Sequence, residues 1–229
     1  MGNYLSDEEI IEAQKLLELY YSLPFGIDMP GPVWEQIFAR IKGGTWSGKR
    51  DNRPNPDVVA NGIRYSVKTE SLDHAISKKR RAARDFLGYR EDLIVARPPV
   101  DELLKENELH SLDASELGAR VLTAYNTIAS QNWDRISILL RLRRREFIYW
   151  EIDPPIYDVD KYTWRDSGKA KGQSRNIITT PRPAQFKWTS RGSQFYVLYE
   201  IPTNADILQI EPKPFTLDEL LSLRHRVPR

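Results

Sequence analysis

The chain contains no cysteine. That removes disulfides, thiolate zinc sites and cysteine nucleophiles together. Histidine is almost as scarce, with three in 229 residues. His74, His110 and His225 are far apart in sequence, which argues against a histidine zinc centre or a Ser-His-Asp triad. No run of about 20 apolar residues occurs, so no membrane span is expected. Internal repeats, low-complexity tracts and a clean linker are also missing. The stretch Met1-Gly-Asn-Tyr-Leu-Ser-Asp-Glu-Glu9 is acidic and has no apolar signal core, so a cytoplasmic protein is expected. The net charge is only +2, so any polyanion partner must be met by local patches rather than by overall charge. Basic residues bunch at 78–84 and 141–145, while acids concentrate near the N-terminus and at 101–116.

What is present can build a sizeable core. Hydrophobic residues make up 40% of the chain, including six Trp and eleven Tyr. A chain of this length fits one large domain. The expected layout is a single domain over 1–229, with a helical extension at 1–30 and a basic loop elaboration at 154–192.

The stretch Asn55-Pro-Asp-Val-Val-Ala-Asn-Gly-Ile-Arg-Tyr-Ser-Val-Lys-Thr-Glu70 reads as a tight β-hairpin. Asn61-Gly62 accepts the positive φ values of a type I′ turn. That turn sets Ala60 opposite Ile63, Val59 opposite Arg64, Val58 opposite Tyr65 and Asp57 opposite Ser66. One face then carries Val58, Ala60, Ile63, Tyr65 and Val67. The other carries Asp57, Ser66, Lys68 and Glu70, with Val59 and Arg64 nearer the turn. A carboxylate faces Ser66 and lies diagonal to a lysine, within cross-strand reach. These are parts for metal-assisted phosphodiester hydrolysis. A carboxylate holds Mg²⁺, and an ammonium orients the attacking water or offsets charge growing on phosphate. The same residues also suit an ordinary half-exposed strand after a Pro-Asp turn. Taken alone they leave both readings open.

Pro56-Asp57, a short hairpin and then Ser66-Val67-Lys68 resemble the PD-(D/E)xK nuclease superfamily, specifically its type II restriction endonucleases. The resemblance implies a metal-binding role for Asp57, a carbonyl ligand at Val67 and a catalytic lysine at Lys68. Ser66 stands where that family usually carries Glu or Asp, as in its serine variants. The missing carboxylate then comes from Glu70, on the same strand face, or from Glu35, on the helix before the hairpin. The residues leave that choice open, and Glu35 also suits the first turn of a helix on dipole grounds. The implied fold class is α/β, a mixed β-sheet sandwiched by helices with a restriction-endonuclease-like core and a basic C-terminal elaboration. The implied cofactor is Mg²⁺ and the implied substrate is double-stranded DNA. Cutting both strands of a two-fold symmetric site suits a homodimer.

Along the rest of the chain, Ser6-Asp-Glu-Glu9 is a capping box opening a helix to about Tyr21. Pro32 suits the first turn of a second helix to about Lys42. Residues 71–87 read as a helix with a basic outer face, and Glu91–Arg97 as a strand that completes a crossover with the hairpin. A short acidic helix is expected at 101–109, and a longer one from about Ser115 to Ser130. Strands follow at Arg135–Leu142 and Glu146–Asp153. This helix and strand pair is similar to the downstream half of several restriction enzymes. The stretch 187–201 enters another strand, and its Trp188-Thr-x-x-Gly-Ser-x-Phe195 element resembles the C-terminal part of some of them. A last strand is expected at 206–211, and a terminal helix from Thr216 to His225. Arg143, Arg144, Lys169, Lys171, Arg175, Lys187 and Arg191 are candidate DNA contacts. Gln173, Asn176 and Gln194 are suited to adenine edges.

Overall fold

The structure is a computed structural model that describes residues 4–23, 29–48, 56–71, 83–88, 90–96, 111–143, 145–167, 175–181, 184–216 and 219. Helix α1 spans Asp7–Ser22 and α2 spans Gly31–Ile41. The capping box forms: the Glu9 N–H donates to Ser6 Oγ at 3.2 Å, and the Ser6 N–H donates to Glu9 Oε2 at 2.8 Å. Pro32 lies in the first turn of α2, as its fixed φ favours.

Among the described residues, eleven strands follow in chain order. They are β1 (Thr45–Trp46), β2 (Val58–Ala60), β3 (Ile63–Ser71), β4 (Arg90–Ala96), β5 (Arg135–Arg143), β6 (Glu146–Ile152), β7 (Thr163–Asp166), β8 (Asn176–Thr180), β9 (Phe186–Thr189), β10 (Gln194–Glu200) and β11 (Asp206–Gln209). Helix α3 (Ala114–Asn132) precedes β5. One sheet has the order β1-β2-β3-β5-β6-β11 and is mixed, because β3 and β5 run parallel while its other pairs are antiparallel. The other has the order β4-β10-β9-β8-β7 and is antiparallel throughout.

The central sheet is covered on both faces. Leu17 of α1 and Trp34, Ile37 and Phe38 of α2 pack with Val58, Tyr65, Val67, Leu139 and Tyr149. On the other face, Leu117, Val121, Leu122, Tyr125 and Ile128 form the buried stripe of α3, at the spacing of one helix side. They pack with Ile136, Ile138, Leu140 and Trp150. The inner face of the second sheet joins this core through Trp164, Ile177, Phe186, Trp188, Phe195 and Val197. Lys42 ties the N-terminal segment down, with Nζ 3.2 Å from Glu9 and 3.4 Å from Glu151. Among the described residues, no helix is long and apolar enough to cross a membrane.

Two expectations need correction. The 90–96 strand does not extend the hairpin sheet, since β4 pairs antiparallel with β10 and β5 is the parallel neighbour of β3. A short apolar strand reads the same in either sheet, so its partner is chosen by tertiary pairing. Residues 154–192 are also not one long loop, because β7, β8 and β9 lie within them. Their apolar residues alternate with polar ones, as at Phe186-Lys187-Trp188-Thr189, but each strand is only four or five residues long. Of the helix expected at 71–87, Ser71 instead ends β3 and Ala83–Phe86 form a 3-10 turn, while 72–82 lie outside the described residues. The helix expected at 101–109 lies wholly outside them, and the C-terminal one does so except for Thr216 and Glu219.

Gly118 sits inside α3, where glycine normally costs about 1 kcal/mol relative to alanine. A Cβ there would lie 2.3 Å from the Trp164 ring, so the helix backbone is the floor on which β7 packs. Gly118→Ala should therefore destabilise the protein by about 1–3 kcal/mol through overpacking. Urea unfolding measures this, and a gain in stability would contradict the packing described.

Candidate active site

Asn61 (φ 51°) and Gly62 (φ 78°) both take the positive φ that the hairpin turn requires. The resulting register pairs Ala60 with Ile63, Val59 with Arg64 and Val58 with Tyr65, as the turn chemistry predicts. Strand β2 begins only at Val58, whereas β3 continues to Ser71. Among the described residues, the edge of β3 beyond Tyr65 is therefore met by Asp57 rather than by a paired strand.

Asp57 is held on that edge by its backbone and its carboxylate. Its N–H donates to the Tyr65 carbonyl at 2.8 Å. Its Oδ2 accepts from the Val67 N–H at 2.7 Å and from the Ser66 hydroxyl at 3.5 Å. Lys68 Nζ lies 3.8 Å from the same oxygen, with the Lys68 and Asp57 side chains 24% and 30% exposed. The site is thus partly shielded but open to solvent. Successive residues of a strand turn their N–H and C=O to alternate edges. Arg64 bonds toward β5 through Asp134, and Tyr65 and Val67 bond toward Asp57. The Val67 carbonyl therefore faces the Asp57 edge as well.

Ser66 is fully buried. A carboxylate in its place would need a partner for a buried charge, whereas a hydroxyl can donate to Asp57. Lys68 projects on the α3 side of the sheet, and its Nζ is 5.5 Å from the centroid of the Trp133 ring. The ring quadrupole attracts an ammonium at that range. Trp133 is 8% exposed and caps α3, its N–H donating to the Ala129 carbonyl at 3.3 Å. The next residue fastens this junction to the hairpin. Asp134 Oδ2 accepts from the Arg64 N–H at 2.8 Å, and Arg64 Nη2 donates to Oδ1 at 2.8 Å. Arg64 Nη1 donates to the Gln131 carbonyl at 2.5 Å, and the Asp134 N–H returns to the Arg64 carbonyl at 2.8 Å. Trp133 belongs to no motif, so nothing in the sequence singles it out; only the docking of α3 brings it to Lys68.

The other acidic candidates flank this group. Glu35 on α2 accepts from Trp46 Nε1 at 2.9 Å, and Trp46 pairs with Val58, the residue after Asp57. Glu70 is part-buried on β3, in register with Leu140 of β5. Among the described residues, no group of three or more His, Cys, Asp or Glu side chains is placed to hold a metal. Asp57, Glu35 and Glu70 are thus not gathered into one ligand cluster. The oxygens on the hairpin edge still suit Mg²⁺, which commonly takes one or two carboxylates and fills its remaining positions with water and phosphate oxygens. The side-chain contacts of Asp57 among the described residues all fall on Oδ2. Oδ1 and the Val67 carbonyl are the oxygens that would hold the ion.

The candidate DNA contacts are scattered. Arg175 is used internally: Nε and Nη2 donate to Asp166 at 2.8 and 3.2 Å, Nη1 donates to the Leu112 carbonyl at 2.8 Å, and the side chain is 11% exposed. Its guanidinium joins β7 to the segment before α3, and the arginine holds the Asp166 carboxyl below its ordinary range. Lys187 and Gln194 lie on neighbouring strands of the second sheet, and Arg191 is exposed in a 3-10 turn. Arg143 closes β5, with only its backbone described. Arg144, Lys169, Lys171 and Gln173 lie outside the described residues. In comparisons with known proteins, no family model, no curated protein and no solved structure matches the chain.

The Arg64 hydrogen bonds to the Asp134 side chain hold its carboxyl down to about 2. A depressed carboxylate contributes stability above its ordinary pKa of 3.8 and loses that contribution as pH falls through its folded value. The stability difference between the wild type and Asp134→Asn should therefore be constant above pH about 4 and shrink as pH falls toward about 2. Urea unfolding across that range reads it, and a pH-independent difference would contradict the clamp.

Proposed function

We propose that this protein is a type II restriction endonuclease of the PD-(D/E)xK kind, hydrolysing phosphodiester bonds at defined sites in double-stranded DNA with Mg²⁺. The observation that carries the reading is the meeting of the Asp57 carboxylate, the Val67 carbonyl edge and the Lys68 ammonium where β3 outruns β2. An aspartate and a lysine on one strand edge are the pieces that metal-assisted phosphoryl chemistry needs from a protein. The order α2, hairpin, α3 and parallel β5, with β4 between hairpin and α3 diverted to the second sheet, supports the same restriction-endonuclease-like core.

Bound Mg²⁺ would supply Lewis-acid polarisation of the phosphoryl oxygen and a more acidic water. The chain's own residues do the rest. Asp57 and the Val67 carbonyl would hold the ion, and the carboxylate that Ser66 lacks would have to come from Glu35 or Glu70, which do not join Asp57 in one cluster among the described residues. Lys68 donates to the attacking water or to the phosphoryl oxygen, where negative charge grows. As the water oxygen bonds to phosphorus and releases a proton to solvent, one ester P–O bond breaks and the departing oxygen takes up a proton from solvent. Trp133 keeps the ammonium over the site. Cleavage of both strands of a symmetric sequence is assigned to a homodimer, and the protein is assigned to the cytoplasm.

The test is digestion of unmodified phage DNA with Mg²⁺ by the wild type, Asp57→Ala and Lys68→Ala. Discrete bands are expected from the wild type. Either substitution should lower the rate by at least about 10²–10³-fold, with DNA binding and folding retained. A smear lost in Asp57→Ala would replace this reading with a repair or phage nuclease of low sequence preference. No cutting by the wild type on any DNA would leave a non-catalytic DNA-binding protein.

A further inference from the structure

The Lys68 ammonium stands between a carboxylate and an aromatic face. Nζ lies 3.8 Å from Asp57 Oδ2. That is beyond hydrogen-bond reach, since a charge-assisted contact closes to about 2.7–2.9 Å. Nζ also lies 5.5 Å from the centroid of the Trp133 ring, inside the range of about 6 Å over which a ring attracts a cation. A lysine stem is long and flexible, and the Lys68 side chain is 24% exposed. The stem by itself therefore does not hold the ammonium off Asp57. The ring pulls the other way.

The ring is also the fixed partner of the two. Trp133 is 8% exposed, and its ring packs on that of Tyr125, with centroids 6.4 Å apart. Its N–H donates to the Ala129 carbonyl at 3.3 Å. The next residue, Asp134, accepts from the Arg64 N–H and from Arg64 Nη2, each at 2.8 Å. A side chain packed and anchored in this way keeps one position, so the ammonium adjusts to the ring and not the reverse.

We infer that Trp133 is a positioning residue whose ring face receives the Lys68 ammonium when a divalent cation takes the Asp57 carboxylate. The inference rests on the reading of the Asp57–Val67 edge as a cation site, and it says how that site keeps a lysine beside a metal ion. Two cations next to one carboxylate repel each other. Oδ2 of Asp57 already accepts from the Val67 N–H and the Ser66 hydroxyl. An ammonium that closed on it would offset the negative charge that draws the metal and would spend its own N–H groups. The ring offers the ammonium a partner that does not compete for the metal, because Mg²⁺ takes oxygen ligands. A carboxylate at position 133 would attract both cations. A π face attracts the ammonium and leaves N–H groups to donate to water or a phosphoryl oxygen.

The test is Mn²⁺ affinity, measured by calorimetry on the full chain without DNA. Trp133→Leu should weaken Mn²⁺ binding by about three- to thirtyfold, which is what an ammonium–ring contact is worth as a ratio of affinities. Trp133→Phe keeps a weaker π face and should fall between. In a Lys68→Met background, Trp133→Leu should change nothing, because the ring acts through the ammonium. With DNA present, Trp133→Leu should raise the Mg²⁺ concentration for half-maximal cutting by the same factor. Unchanged Mn²⁺ affinity in Trp133→Leu, or an equal loss in the Lys68→Met background, overturns the inference. Wild type that binds no Mn²⁺ overturns the cation site and this inference with it. Wild type that binds Mn²⁺ and cuts DNA beside an unaffected Trp133→Leu keeps the nuclease and removes Trp133 from its site.

Discussion

Everything at the candidate site depends on the pairing register of β2 and β3. Side chains alternate along a strand, so a slip of one residue would move Lys68 to the α2 side and take the Val67 N–H away from Asp57. Two separate features choose the same register. Asn61 and Gly62 take positive φ and set the two-residue turn. Val58, Ala60, Tyr65 and Val67 are buried on one face only in that alignment. Agreement between turn chemistry and core pattern is what makes a register unique.

The site also needs an edge that is open yet rigid. Ending β2 early frees the Val67 edge, while Asp57 remains bound to it through the Tyr65 carbonyl and the Val67 N–H. Rigidity comes from the far side of the sheet. The Arg64–Asp134 clamp fixes the end of α3 against the hairpin, and this sets Trp133 over Lys68. At the other end of α3, Gly118 admits the Trp164 ring, and the second sheet docks there. One helix thus joins the hairpin to the second sheet.

Local features were legible in the sequence because local physics decides them. The capping box at Ser6, the hairpin register, the buried stripe of α3 and the antiparallel pair β5–β6 all follow from spacing and turn residues. Asp57, Ser66 and Lys68 were legible for the same reason, since the hairpin alone brings them together. Strand partnership across the two sheets was not. An apolar strand such as β4 carries no mark of which edge it joins, and β7 to β9 are too short for their alternation to stand out among basic residues. Long-range side-chain contacts were least legible. Arg175 looks like any DNA-facing arginine until Asp166 and the Leu112 carbonyl are placed around it, and Trp133 gains meaning only once α3 has docked.

The central claim is that the Asp57–Val67 edge is a divalent-cation site governed by one carboxylate. Titrating Mn²⁺ into the isotope-labelled protein and following its backbone amides tests this without DNA or catalysis. The account predicts paramagnetic broadening centred on Ser66, Val67 and Lys68 in the wild type and its loss in Asp57→Ala. Broadening centred elsewhere, or unchanged in Asp57→Ala, would contradict it.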